Sequence, residues 1–558
     1  MNVPVPTVST SANQDWNEGI EAGTTWTFDP MHFPFPLSPL TVSTLGPCFA
    51  NGATAAFREL HAPIEQVDVV HRNYYRYERW SPVIPAGDDE ARRIGETAEA
   101  SAKSEIARMM ERWLGEHLPR ISAHHQRIQE MPVESATPAE LTVLIDELNA
   151  IHTDLWTIHF RVAIPMLLSM QLFDELYADL FDGEEADAHA LLVGGLSESV
   201  KAGFGLSDLA IAATGLGLDS LFKETDPGSL IERLEASPDG WTLLGRLYEY
   251  LETYGLRQDL FEFSTPTWRE DPSIALASIR SYIMTGRDAR AEHEVMARSA
   301  ELALATARAN LAAYPEAVRN QFEAMVQFGR HGAFLQEEHN FYIDQRGMAL
   351  IRLFYMRVGN RFVGAGLLQA PADIFLLAHE EIRQSVQQRF SGSAGNLRGQ
   401  VDIRRAELAS AGQLAPPPFI GDAPSGPPPA DNPMGRALVR FFGGPPQDSG
   451  SPDQIKGNGG SRGVATGIAR VARTLDEAKH VRPGEILVAV TTMPAWTPLF
   501  GVAAAVVAET GGPLSHCAIV AREYGLPAVV GAHGATTRIR TGQTITVDGG
   551  TGIVTLSA

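Results

Sequence analysis

Thr510-Gly511-Gly512-Pro513-Leu514-Ser515-His516-Cys517 puts one imidazole where a phosphoryl group can be taken up and released. The apolar, β-branched run from Val502 to Ala508 reads as a strand, the glycine pair ends it, and a helix-like run begins at Ser515. Main-chain N–H groups at a helix start, with the positive end of the helix dipole, form an anion site. The glycines let backbone approach a phosphate with no Cβ in the way. Thr510, Gly511, Gly512 and Ser515 are therefore the expected phosphate-binding residues, and His516, in the first helical turn, is the expected nucleophile.

A second concentration of reactive groups is Gln336-Glu337-Glu338-His339-Asn340-Phe341-Tyr342-Ile343-Asp344. At helical spacing Glu338, Tyr342 and Arg346 share a face. Glu337 and Glu338 flank His339 closely enough to orient it and raise its pKa. Arg346 and Arg352, with Arg357 and Arg361 further on, offer planar forks that suit phosphoryl oxygens, and the first two are the expected phosphate ligands. A solvated charged face is the competing account of these arginines.

These groups need rigid carriers. Residues 1–20 read as a polar tail. From Trp26 to Trp80 the chain is rich in aromatics and proline, and the prolines of residues 30–39 forbid regular helix there, so extended chain and short strands are expected. From about Asp88 to Gln413 the apolar spacing is helical, with Ala98 to Leu118, Pro138 to Phe173, Pro227 to Tyr254 and Ala289 to Phe334 the longest runs. Residues 414–460 are proline- and glycine-rich and read as a linker, interrupted by an apolar island from Ala437 to Phe442. Fully extended, such a segment reaches on the order of 100 Å. Residues 461–558 alternate glycine turns with β-branched strands and one helix. The fold class expected is multidomain α+β: a large, mainly helical domain over residues 21–413 and a small C-terminal β/β/α domain over 461–558.

Composition removes several function classes. The net charge of −22 opposes a nucleic-acid binder, which needs a basic face, and an anionic membrane surface. Cys48 and Cys517 are the only cysteines, so a disulfide framework is excluded and a reducing compartment fits. Residues 1–19 lack the basic start and apolar core of a signal peptide, and no run approaches the ~18 apolar residues of a membrane helix. A cytoplasmic location with no nucleic-acid or membrane partner is expected. No metal-ligand set is assigned.

Thr491-Thr492-Met493-Pro494, the Thr510–Glu523 stretch, Gly525-Leu526-Pro527-Ala528-Val529-Val530-Gly531 and Asp548-Gly549 resemble the phosphohistidine swivelling domain of the phosphoenolpyruvate-utilising enzyme family. His516 falls on that family's phosphorylated histidine. Arg462 stands where the family usually has proline, and Cys517 where alanine is common. Trp26, Asp29 to Pro34, Glu338 to Asp344, Gly366 to Leu368, Asp373 to Leu377 and Arg404 to Glu407 resemble the acceptor-binding part of mobile-subunit proteins in the family, with aryl phosphate synthases and rifampin phosphotransferase as nearest analogues.

The resemblance implies that a separate ATP-grasp subunit, binding ATP with Mg2+, phosphorylates His516. The group then passes to a phenolic hydroxyl such as that of phenol or a cresol. This chain itself holds no tightly bound cofactor in that reading. The phenol proton needs a base, for which His339 stands first and Glu338 second. A larger hydroxylated antibiotic as acceptor, or a non-catalytic phosphocarrier, are the alternative readings.

Overall fold

The computed structural model describes residues 15–181, 188–258, 261–389, 397–424, 432–493 and 496–557. Residues 1–14 of the expected tail, 425–431 of the expected linker and Pro494 of the Thr491–Pro494 motif lie outside them. The chain divides into two compact units that interleave in sequence. The first comprises residues 1–162, 260–265 and 342–426, and the second 163–259, 266–341 and 427–558. The architecture is multidomain α+β.

In the first unit, β1 (Thr25–Phe28), β2 (Ile64–Arg72), β3 (Tyr75–Pro82) and β4 (Phe419–Gly421) form an antiparallel sheet in the order β2-β3-β1-β4. Extended chain was expected throughout Trp26 to Trp80, but α1 (Pro39–Glu59) interrupts it. Pro39 sits at the first helical position, where its missing N–H and fixed φ favour a helix rather than forbid one. Leu40, Leu45, Phe49, Ala53 and Phe57 then line its buried face.

Three further helices complete the run to residue 181: α2 (Asp88–Arg112), α3 (Leu118–Glu130) and the long α4 (Pro138–Phe181), with a π-helical turn (Trp113–His117) joining α2 to α3. Thr137 and Glu140 exchange hydrogen bonds at the start of α4, a capping box. Among the described residues α4 alone is long and apolar enough to cross a membrane, and 78% of its apolar window is buried inside the protein.

The second unit's helices are α5 (Glu198–Gly215), α6 (Asp219–Glu224), α7 (Leu230–Glu235), α8 (Pro238–Tyr254), α9 (Ser273–Thr285), α10 (Ala289–Asn310) and α11 (Glu316–His339). A π-helical turn (Asn340–Gly347) follows α11 and spans the unit boundary. The chain returns to the first unit through α12 (Met348–Gly364), α13 (His379–Arg389) and α14 (Leu397–Ala411).

The range 414–460, expected to be a linker, overlaps both units and contains β4, α15 (Pro433–Phe442), β5 (Gln454–Lys456) and β6 (Asn458–Ser461). Asn432 caps α15 through a bond from Gly435 N–H, and Pro433 opens the helix.

After β6 come β7 (Val464–Ala472), α16 (Leu475–Ala478), β8 (Ile486–Ala489), α17 (Thr497–Phe500), β9 (Ala505–Ala508), α18 (His516–Glu523), β10 (Ala528–Val530), α19 (Ala535–Arg538), β11 (Thr544–Asp548) and β12 (Ile553–Leu556). The sheet order is β5-β12-β11-β7-β8-β9-β10-β6, with β7 through β10 parallel where they adjoin. Ile486, Val488, Val507, Val529, Ile545 and Val547 form its core. Burial on both faces explains why β8 and β9 read as unbroken apolar runs.

Candidate functional site

The site grows from the end of β9. Thr510 N–H and hydroxyl both donate to the Val490 carbonyl, at 3.1 and 3.0 Å, tying the loop to the end of β8. Gly511 has φ +86°, a conformation only glycine adopts without strain. Ser515 is the N-cap of α18 and His516 its first residue. The glycine turn and helix fall as the residue pattern implies, whereas the strand expected from Val502 covers only Ala505–Ala508, because Gly501 and Val502 form a turn.

The loop N–H groups are not pointing into an open cradle. Gly512 N–H donates to Phe441 O at 2.8 Å and Leu514 N–H to Arg440 O at 3.1 Å, so the last carbonyls of α15 occupy two of them. A Cβ on Gly512 would lie 2.0 Å from Arg440 O. Glycine is required here by close approach of protein backbone. The other end of this contact is anchored on α4: Arg440 Nη2 meets Asp174 at 2.6 Å, Nη1 donates to Gln171 at 2.9 Å, and Arg436 pairs with Glu175 at 2.7 Å. Asp174 also holds His189 at 2.7 Å in the interior.

His516 is 8% exposed. Its Nδ1 lies 3.1 Å from Glu337 Oε1, and the Thr497 hydroxyl lies 3.4 Å from Nε2. A carboxylate only accepts, so the contact places a proton on Nδ1, and in the neutral ring the lone pair is then on Nε2. Burial pushes the Glu337 carboxyl up, yet the attraction of His516 and its hydrogen bond outweigh that and hold it below the usual range. Glu523, at the far end of α18, is driven well above the usual range by burial and by the charge of Glu337. Of the two acids, Glu337 is therefore the ionised partner of the histidine.

Glu338 and His339 follow Glu337 on α11 and are nearly as buried, at 5% and 2% exposure. Glu338 accepts the Glu198 N–H at 2.7 Å, at the start of α5, and burial raises its carboxyl to about 7. His339 Nδ1–H donates to Leu335 O at 2.7 Å, which makes Nε2 the acceptor nitrogen of that ring.

Arg346 and Arg352 belong to the first unit, whereas His516, Thr510, Gly511, Gly512, Ser515, Glu338 and His339 belong to the second. Arg346 lies beside His125, which burial and that guanidinium together lower to about 3. Arg352 donates to Phe263 O at 2.6 Å and stacks 4.9 Å from the Phe375 ring centroid. Arg357 pairs with Glu134, and Arg361 donates to Val133 O and Ala136 O. These contacts account for Arg352, Arg357 and Arg361 as holders of neighbouring chain.

Two partners of His516 were not separable in the sequence. Glu337 lies in the acidic run already singled out, but nothing local distinguishes it from Glu338. Thr497 carries no signal beyond its distance of nineteen positions from His516.

Residues 481–552 match the family described as PEP-utilising enzyme, mobile domain, and residues 159–337 match the rifampicin phosphotransferase fourth domain. Chondramide synthase cmdD of Chondromyces crocatus is 32% identical over 97% of this chain and 14% of its own length. An uncharacterised phosphotransferase, YvkC of Bacillus subtilis, is 28% identical over 79% of this chain and 53% of its own. Rifampicin phosphotransferase of Streptomyces sviceus is 30% identical over 58% of this chain and 36% of its own. The chain thus spans about half or less of each of these relatives. The swivelling-domain match encloses His516 and the helical match ends at Glu337, and together they support a phosphoenolpyruvate-utilising family member that resembles rifampicin phosphotransferase.

Proposed function

We propose that this chain is a phosphotransferase that carries a phosphoryl group on His516 Nε2 and passes it to a hydroxyl acceptor. The observation that carries this reading is the 3.1 Å contact between His516 Nδ1 and Glu337 Oε1. It keeps the proton on Nδ1 and the lone pair on Nε2, the arrangement an imidazole nucleophile needs. In the first half-reaction Nε2 forms a bond to phosphorus as the donor's P–O bond breaks. In the second, the acceptor oxygen forms its bond to phosphorus, the P–N bond breaks, and the hydroxyl proton passes to a base.

His339 is the first base in this reading, since its Nδ1–H is committed to Leu335 O and its Nε2 is the proton-accepting atom. Glu338 is the second, with its carboxyl raised to about 7 by burial. An ATP-grasp module outside these residues supplies one phosphoryl group of ATP with Mg2+, while water takes the other as inorganic phosphate and AMP leaves. The acceptor is a phenol, the product an aryl phosphate, and the reaction cytoplasmic. The match of residues 159–337 to a rifampicin phosphotransferase domain supports a second reading, in which the acceptor is a larger hydroxylated antibiotic.

The test is labelling with γ- and β-labelled ATP and an ATP-grasp partner, followed by a panel of phenols and hydroxylated antibiotics. Base-stable, acid-labile label on His516 that chases into one acceptor class is the expected result. Label that never reaches any hydroxyl compound leaves a phosphocarrier as the reading.

A further inference from the structure

α15 meets two parts of the second unit through two different kinds of bond. Towards the His516 loop the bonds are main-chain. Phe441 O accepts from Gly512 N–H at 2.8 Å, and Arg440 O accepts from Leu514 N–H at 3.1 Å. Asn458, at the start of β6, adds a bond from Nδ2 to Gly443 O at 3.1 Å. The last carbonyls of a helix have no partner within it, so the loop completes α15 and the two form one piece.

Towards α4 the bonds come from side chains. Arg440 reaches Asp174 at 2.6 Å and Gln171 at 2.9 Å, and Arg436 reaches Glu175 at 2.7 Å. Gln171, Asp174 and Glu175 share one face of α4, being three and four positions apart. Arg440 thus holds α4 with its guanidinium and the His516 loop with its carbonyl.

Behind these contacts α4 and α11 pack without slack. A Cβ on Gly332 would lie 2.5 Å from Ser169 Oγ and 2.9 Å from Met166 O, and one on Gly329 would lie 3.3 Å from the Phe173 ring. Glycine brings the two helices this close, and packing of that density yields little. Glu337 follows Gly332 by five positions on α11, and Asp174 follows Ser169 by five on α4. The helix pair therefore presents two carboxylates at a set separation. The piece that bears His516 meets both, His516 Nδ1 at Glu337 and Arg440 at Asp174.

The Asp174 anchor is the firmer of the two that α15 makes. Asp174 is 3% exposed in its side chain and Arg440 18%, and His189 Nε2 shares the same carboxylate oxygen at 2.7 Å. The Arg436–Glu175 pair is about one-third exposed on both sides and contributes less. Removing one partner of a buried ion pair strands a charge, whereas replacing both by apolar side chains is often neutral for stability.

We infer that Arg440 is a positioning residue for His516: paired with Asp174, it seats α15 on α4 and so fixes the imidazole against Glu337. A loop held at one point pivots about it, and the second point removes the pivot. That the imidazole so placed carries a phosphoryl group rests on the proposed function; the placement does not.

The test is the rate at which diethylpyrocarbonate modifies each histidine of the full chain, read by peptide mass spectrometry, with exposed His61 as the internal reference. The variant is Asp174→Leu combined with Arg440→Met, which removes the anchor without stranding a charge. In the native chain His516 should react at least about ten-fold more slowly than His61. In the double variant His516 should react about ten-fold faster than in the native chain, with the melting temperature and the His61 rate unchanged. Arg440→Lys keeps a cation beside Asp174 but loses the fork, and its His516 rate should fall between the two. A native His516 rate in the folded double variant overturns the inference. If the double variant does not fold, Arg440→Lys decides: a raised His516 rate supports the inference and the native rate overturns it. A native chain in which His516 reacts as fast as His61 overturns it whether or not any variant folds. No ATP, phosphoryl donor or acceptor enters the measurement, so failure here and failure of the phosphoryl reading are separate results.

Discussion

Glu337 Oε1 lies 3.1 Å from His516 Nδ1, joining the last turn of α11 to the first residue of α18. In the proposed mechanism this contact decides which imidazole nitrogen attacks phosphorus. Replacing Glu337 by Gln keeps an acceptor oxygen but loses the charge, and should slow labelling of His516 about ten- to a hundred-fold. Glu337→Leu removes the acceptor as well. Label should then distribute between Nδ1 and Nε2, read by 31P and 15N NMR. Unchanged rate and unchanged regiochemistry in the Leu variant would remove Glu337 from the mechanism.

Gly512 is expected to tolerate no side chain. A Cβ there meets Arg440 O at 2.0 Å, backbone against backbone. Gly512→Ala should cost roughly 2–4 kcal/mol of stability or expel α15 from the loop. Gly245 has nothing within 4 Å of its Cβ position and sits inside α8, so Gly245→Ala is the control, with a gain of about 0.5–1 kcal/mol. Thermal melts and amide exchange of residues 433–442 distinguish the two.

Glu338 gives stability a definite pH dependence. Its carboxyl titrates near 7 in the folded chain against an ordinary 4.5. The folded state then binds the proton more tightly than the unfolded one, so this group's stabilisation is fully present below pH 4.5 and is lost as pH rises through 7. A shift of this size corresponds to roughly 3 kcal/mol. Glu338→Gln should flatten the decline in stability between those pH values and raise stability above pH 7. Denaturant titrations at pH 5 and pH 8 measure it; parallel curves for variant and native chain would contradict the burial argument.

Arg352 should prove a stability residue. Its donation to Phe263 O and its stacking on Phe375 occupy a side chain that is only 3% exposed. Arg352→Met should cost about 2–3 kcal/mol, the range for a buried hydrogen bond to a charged group. Phosphorylation of His516 should reach normal stoichiometry in the variant. A stable variant that fails to retain label would return Arg352 to the phosphate.

The strand, glycine turn and helix around His516 were legible because each rests on a local rule: apolar β-branched residues for β9, positive φ at Gly511, and a serine N-cap for α18. Helical character was legible from apolar spacing, but the expected runs Pro227 to Tyr254 and Ala289 to Phe334 are each broken, before Pro238 and at Pro315, because a proline ends one helix and opens the next. α1 was missed because prolines over residues 30–39 were read as barring a helix, when the last of them starts one.

The sequence by itself determined which histidine sits at a helix start and which segment holds the paired acids. It did not determine that Glu337 rather than Glu338 reaches His516, because adjacent residues on a helix point about 100° apart and only packing selects between them. Nor did it determine that the loop's N–H groups meet the carbonyls of α15. That contact joins Gly512 to Phe441 across seventy-one positions of chain, and backbone carbonyls carry no sequence signature. Burial, which sets the charge states of Glu337, Glu338 and Glu523, belongs likewise to the tertiary structure, since three glutamates of identical chemistry differ only in what surrounds them.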